Sequence, residues 1–175
     1  MAKQFSVSQL KDEVSIYDEF VEIPVVAQGE EYIVNMYPYF KPERVRDLVN
    51  EMIDFFKAAD KEKVTISPIE ENDLVMYYIM KYFTNMKFTK SKKAKVIYEE
   101  FKIALNSELF KVLSETYPQE SVQSVFERIY DLMDANSRFE NKFKEMQELF
   151  KTLPLENKEV FEQLGKLKTD NKIDE

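Results

Sequence analysis

From residue 42 onward the apolar positions of this chain fall into helical rows. Val45, Leu48, Val49, Met52, Phe55, Phe56 and Ala59 recur three or four residues apart behind Pro42, a residue suited to a first helical turn, and predict a helix over about 42–60. Next come Ser67-Pro68, with Glu70 and Glu71 in the first turn, and then Leu74 to Met80, Tyr82 and Phe83. That segment, roughly 69–84, is apolar almost all round and belongs at the centre of a bundle. Ser91 can cap a third helix with Ala94, Ile97, Tyr98, Phe101, Ala104 and Leu105 on its buried face; Leu109 to Tyr117 makes a shorter fourth, ended by Pro118.

Beyond Pro118 a single row runs through Val122, Val125, Ile129, Leu132, Asn136, Phe139, Phe143, Met146, Phe150 and Leu153, the spacing of a coiled-coil seam. Phe126, Tyr130 and Met133 widen its first half, as in a helix packed into a core. From Asn136 the row narrows among charged residues, as in a helix that meets one neighbour, with Asn136 placed to fix register. Phe139, Phe143, Met146 and Phe150 then need a cover. Two covers are open: Phe161, Leu164 and Leu167 folding back after Pro154, or another protein chain, either a second copy or a client.

The N-terminal region reads differently. Val7, Leu10, Val14 and Tyr17 outline a short amphipathic arm within residues 1–19, with Ser6 or Ser8 as its cap. Residues 20–38 contain two β-branched and aromatic runs, Val21 to Val26 and Tyr32 to Tyr37, around a turn at Gly29-Glu30-Glu31, and predict a β-hairpin with Pro24 on an edge strand. The predicted fold is therefore mainly α: one domain over 1–167, with an arm, a hairpin and a helical bundle over 42–167 ending in one long helix, and a polar, disordered tail over 168–175.

Composition narrows the chemistry. There is no histidine and no cysteine, which removes the commonest general base, the thiolate nucleophile and the usual ligands of zinc and iron–sulfur sites. Two isolated glycines leave no phosphate-cradling loop. Acid clusters such as Glu70-Glu71-Asp73 and Glu99-Glu100 suit helical first turns and polar faces better than catalysis. The expectation is a protein that is not an enzyme and needs no metal or cofactor. Met1 to Leu10 lacks the layout of a secretory signal and no stretch has the length of a membrane span, so the chain is expected to be cytoplasmic, away from membranes. A net charge of −8 disfavours nucleic acid as a partner. The one basic cluster, Lys87, Lys90, Lys92, Lys93 and Lys95, enters the third helix; Lys92 and Lys93 would fall in its first turn, where the helix dipole disfavours cations. Either the cluster is a solvated turn, or neighbouring acids or an acidic partner favour it there. Lys90, Lys92 and Lys93 join Asn136, Phe139, Phe143, Met146 and Phe150 as candidate partner-binding residues.

Phe5-Ser6-Val7 to Leu10, Val21-Glu22-Ile23-Pro24, the Gly29-Glu30-Glu31 turn and Tyr32-Ile33-Val34 resemble the opening of small tail assembly chaperones of tailed bacteriophages, where an arm and hairpin precede a helical body. The stretch Tyr37-Pro38-Tyr39-Phe40-Lys41-Pro42, and Tyr82 to Thr89, resemble small helical morphogenesis proteins of phages of Gram-positive bacteria. The resemblance covers about half of the chain. It implies a protein that binds exposed apolar segments of a tail tape-measure or tube protein during virion assembly, acting alone or as a homo-oligomer. A different reading of the acidic surface is a phage-encoded inhibitor occupying the basic cleft of a host defence enzyme, although the interspersed lysines break up the acidic face such mimicry needs.

Overall fold

The computed structural model describes residues 5–132 and Ala135. The chain divides after Leu132, and the first unit is mainly helical behind an N-terminal hairpin. A short arm opens it, with a 3-10 turn at Val7–Leu10, helix α1 at Lys11–Val14 and a second 3-10 turn at Ser15–Asp18. Gln9 Oε1 accepts the Ser6 amide at 2.7 Å and closes the first turn. Strands β1 (Val21–Ala27) and β2 (Glu30–Met36) then pair antiparallel, Val21 opposite Met36 and Ala27 opposite Glu30.

The hairpin turn differs from the expected Gly29-Glu30-Glu31. It is Gln28-Gly29, with φ of 53° and 82°. Two successive left-handed residues give a tight turn whose twist matches that of the strands, so Glu30 and Glu31 are free to pair within β2. Alternation away from a two-residue turn turns the nitrogen of Pro24 outward, where no ladder bond is lost. One face of the hairpin packs, through Met36, Val34 and the half-buried Ile23 and Val25; Glu22, Pro24, Val26, Glu31 and Ile33 on the other are exposed. The end of β2 is fastened to the segment after the central helix: Tyr37 N–H donates to the Phe83 carbonyl (2.9 Å), Asn85 N–H to the Asn35 carbonyl (3.1 Å), and Asn35 N–H to Asn85 Oδ1 (3.0 Å).

Four helices, α2 (Pro42–Glu62), α3 (Pro68–Tyr82), α4 (Ala94–Leu105) and α5 (Glu108–Thr116), follow, and residues 119–132 form α6. Helix α2 buries Val45, Leu48, Val49, Met52, Phe55 and Ala59 and ends at Lys63 in a left-handed conformation. Helix α3 buries Leu74, Val75, Tyr77, Tyr78, Ile79 and Met80, and it packs against α2, α4 and α5. Beyond it, Phe40 stacks on Phe83 with centroids 3.8 Å apart, and Tyr117 meets Phe40 edge-on while its hydroxyl donates to the Phe83 carbonyl. Helix α6 enters the core through Val125, and Ser121 Oγ donates to the Pro38 carbonyl. Tyr130, expected to widen the buried stripe, is 67% exposed because it lies off the face that carries Val125 and the half-buried Val122, Ile129 and Leu132.

Helix α3 starts on a reciprocal cap: Ser67 Oγ accepts the Glu70 amide and Glu70 Oε2 accepts the Ser67 amide. The same carboxylate takes Lys102 Nζ (2.7 Å) and the Tyr98 hydroxyl (3.0 Å) from α4. The Lys102 bond foremost, then the Ser67 and Tyr98 bonds, hold the Glu70 carboxyl down at about 2 against an ordinary 4.5. A carboxylate depressed on folding adds stability that is fully present above about 4.5 and is lost as the pH falls toward 2. Acid titration of Glu70→Gln, followed by circular dichroism, should therefore show a shallower loss of stability across that window than the parent; parallel curves would contradict the arrangement.

Among the buried tyrosines, Tyr77 donates to Glu100 Oε1 at 2.6 Å, whereas the Tyr78 hydroxyl has no hydrogen-bond partner among the described residues. Removing a paired hydroxyl that faces a charge costs about 1.5–3 kcal/mol, and removing an unpaired buried one costs nothing and can stabilise. Denaturant unfolding should show Tyr77→Phe destabilised by that amount and Tyr78→Phe unchanged or more stable by up to about 1 kcal/mol.

Candidate functional site

The lysine cluster lies on the connection from α3 to α4. Thr84 Oγ1 donates to the Met80 carbonyl and accepts the Met86 amide, which turns the chain out of α3. Glu100 Oε2 then accepts the Thr89 amide at 2.7 Å and draws the connection onto α4. Ser91 is not the cap of α4. Its Oγ accepts the Lys93 amide within the connection, and Lys93 itself occupies the N-cap position. The orphan amides of α4 are taken by a distant side chain: Glu62 at the end of α2 accepts Ala94 N–H through Oε1 and Lys95 N–H through Oε2, each at 3.0 Å. These bonds, Lys95 first and Ala94 second, hold the Glu62 carboxyl below its usual range. Lys92 therefore precedes the helix, and the carboxylate on its first amides offsets the unfavourable dipole beside Lys93.

Between the C-terminal half of α2 and this connection lies an open pocket of about 720 Å³. Ala58, Met86 and Phe88 make its apolar floor, with Phe55 and Ile97 beneath. Lys57 and Lys61 stand one turn apart on α2, Lys90 and Lys92 alternate on the connection, and Lys81 comes from α3. Five lysines thus meet two carboxylates, and both carboxylates are engaged. Glu51 is ion-paired with Lys81 and accepts the Tyr82 hydroxyl, and Asp54 lies 3.6 Å from Lys57. Among the described residues no carboxylate pairs with Lys61, Lys90 or Lys92.

Of the residues singled out from sequence, Lys90 and Lys92 share this pocket, and Lys93 is exposed at the N-cap outside its lining. Asn136, Phe139, Phe143, Met146 and Phe150 lie outside the described residues, as do Pro154 and residues 155–175. Sequence reasoning missed Lys57, Lys61 and Lys81, whose polar positions on α2 and α3 say nothing about which loop they face. It also missed the exposure of the arm and hairpin. Fourteen large hydrophobic side chains are exposed among the described residues, and nine of them, from Phe5 to Ile33, belong to the arm and hairpin. No group of three or more His, Cys, Asp or Glu among the described residues is placed to hold a metal ion. No described helix is long and apolar enough to cross a membrane.

The Glu62 cap makes a local claim. In Glu62→Ala, amide exchange at Ala94 and Lys95 should accelerate while α3 stays protected. Unchanged protection at both amides would place the cap elsewhere.

Comparison with known proteins gives the setting. A relative 25% identical over 124 residues, 71% of this chain and 72% of its own length, is the SPbeta prophage-derived uncharacterized protein YomO of Bacillus subtilis (strain 168). No solved structure matches the chain. The relative supports a phage-derived protein, and the support does not extend to the tail assembly chaperones that the N-terminal third resembles. The YomO family matches residues 7–166, so the chain belongs to the YomO family.

Proposed function

We propose that this chain is a non-enzymatic phage protein that binds other phage proteins, such as a tail tape-measure or tube protein, while the virion is assembled. The observation that carries the reading is the concentration of exposed apolar side chains on the arm and hairpin, from Phe5 and Val7 through Ile16 and Phe20 to Ile33. A soluble domain with a well-packed interior has no structural need for such a surface, and clustered exposed hydrophobics mark protein interaction sites. Local chemistry supports the same reading. Glu51, Glu70 and Glu100 are each occupied as acceptors for tyrosine hydroxyls and neighbouring donors, which leaves them poorly suited to acid–base work. The prophage derivation of the relative and the resemblance of the opening to tail assembly chaperones support a virion component as the partner.

Co-expression with the tape-measure and tube proteins of the same phage tests the reading. The parent should co-purify with one of them, and Val7→Asp with Val14→Asp, both on exposed arm positions, should lose the partner without a change in melting temperature. Absence of either protein from the purified complex, or undiminished capture by the arm variant, would overturn it.

A further inference from the structure

We infer that copies of this chain join head to tail, the distal end of the β1–β2 hairpin of one copy entering the lysine-edged pocket of the next. The inference goes beyond client binding and uses residues other than those of the arm.

Apart from the half-buried Val25, the distal hairpin is exposed among the described residues. Its last three pairs, Val25 with Tyr32, Val26 with Glu31 and Ala27 with Glu30, contain no buried residue, and they reach about 10 Å along the strands at 3.3 Å per residue. A two-stranded hairpin is marginal in water without support, and here the fastening to residues 83–85 and the buried Met36 and Val34 support only the proximal half. On one distal face Pro24, Val26 (73% exposed) and Ile33 (59% exposed) form an apolar strip, with Glu31 beside it and Glu30 next to the turn. The left-handed Gln28-Gly29 turn keeps the tip two residues wide.

The pocket carries the complementary pattern. Its apolar floor lies between Lys57 and Lys61 on one side and Lys90 and Lys92 on the other, and three of its five lysines meet no described carboxylate, in a chain of net charge −8. A nucleotide fits this site poorly. The amides of α4 that would face a phosphate are already held by Glu62, and lysines spread along two walls match carboxylates spaced along a protein segment better than one compact anion. No hairpin residue lines the pocket of its own copy, so tip and pocket are separate surfaces. A contact between different surfaces is heterologous, and it builds rings or open chains instead of stopping at two.

The contact is small and so is weak on its own, with association expected in the range of about 1 µM to 1 mM. Sedimentation velocity of the full chain over that range should give a mass that grows past a dimer and falls back in about 0.5 M salt. Two variants separate the halves of the contact. Lys61→Ser with Lys90→Ser and Lys92→Ser removes the pocket charge, Glu30→Lys with Glu31→Lys reverses the tip, and all five positions are exposed, so both variants should melt like the parent. Each alone should associate about tenfold or more weakly than the parent. Mixed, they should form a complex that stops at one of each, because only the first retains a tip and only the second retains a pocket. A parent that stays monomeric throughout the range, variants that associate like the parent, or a mixture that forms no one-to-one complex would each overturn the inference. A monomeric parent that still captures its tail protein removes this inference alone; an arm variant that self-associates but captures nothing removes the client reading alone.

Discussion

A helix with apolar side chains on every side is stable in water only where other segments enclose it, and α3 sets that requirement for this chain. Tyr77, Tyr78, Ile79 and Leu74 reach full burial at positions that point to different sides of the helix. Helices α2, α4 and α5 supply the enclosure, while Phe40 and Tyr117 cover Phe83 at the end of α3. Enclosure creates a second demand, since each tyrosine brings a hydroxyl into the interior. Burial is the first cause that pushes the pKa of Tyr77, Tyr78 and Tyr82 up, so these groups stay protonated, and Tyr77 and Tyr82 act as donors. Glu100 and Glu51 meet Tyr77 and Tyr82, and Glu70 meets Tyr98. Among the described residues these tyrosine–carboxylate pairs join the Lys81–Glu51 and Lys102–Glu70 ion pairs as polar links between helices.

That role gives the acids visible in the sequence a structural use. Glu70 closes the α3 cap and reaches Lys102 and Tyr98, and Glu100 joins Tyr77 to the Thr89 amide. The Lys102 bond, with those of Ser67 and Tyr98, holds the Glu70 carboxyl well below its ordinary range. Tyr78 is the exception to the pairing rule, and its lost hydrogen bond is a local cost carried by the packing around it.

The elements legible in the sequence are those fixed by local periodicity. The α2 stripe, the all-round apolar α3 segment with its Ser67 cap, the third helix from Ala94 and the hairpin strands follow from side-chain order alone. What escaped depends on residues far apart in the chain. The hairpin turn shifted because a glycine fits equally well at the start of a three-residue loop or at the second place of a two-residue one, and only the strand register decides between them. Ser91 looked like the cap of α4, yet Glu62, 32 residues before Ala94, displaces it. The lysine cluster was visible, but a pocket is not a sequence pattern. Lys57 and Lys61 had to be brought opposite Lys90 and Lys92 by the packing of α2 against α4 before the cluster had a shape.

Charge ties these features together. The lysines that structure requires are neutralised in place, Lys81 by Glu51 and Lys102 by Glu70, and Glu62 compensates the helix start beside Lys93. Lys61, Lys90 and Lys92 are left around an apolar floor with no such compensation among the described residues. Exposed lysines are inexpensive to keep, but an apolar floor is not, since each floor side chain left in water forgoes the stabilisation of burial. The hairpin tip shows the same imbalance with the opposite sign, Val26 and Ile33 in water near Glu30 and Glu31. Packing among the described residues relieves neither surface, whereas the contact between copies inferred above would relieve both together. The arm, apolar but outside that pairing, then remains the surface available to a different protein.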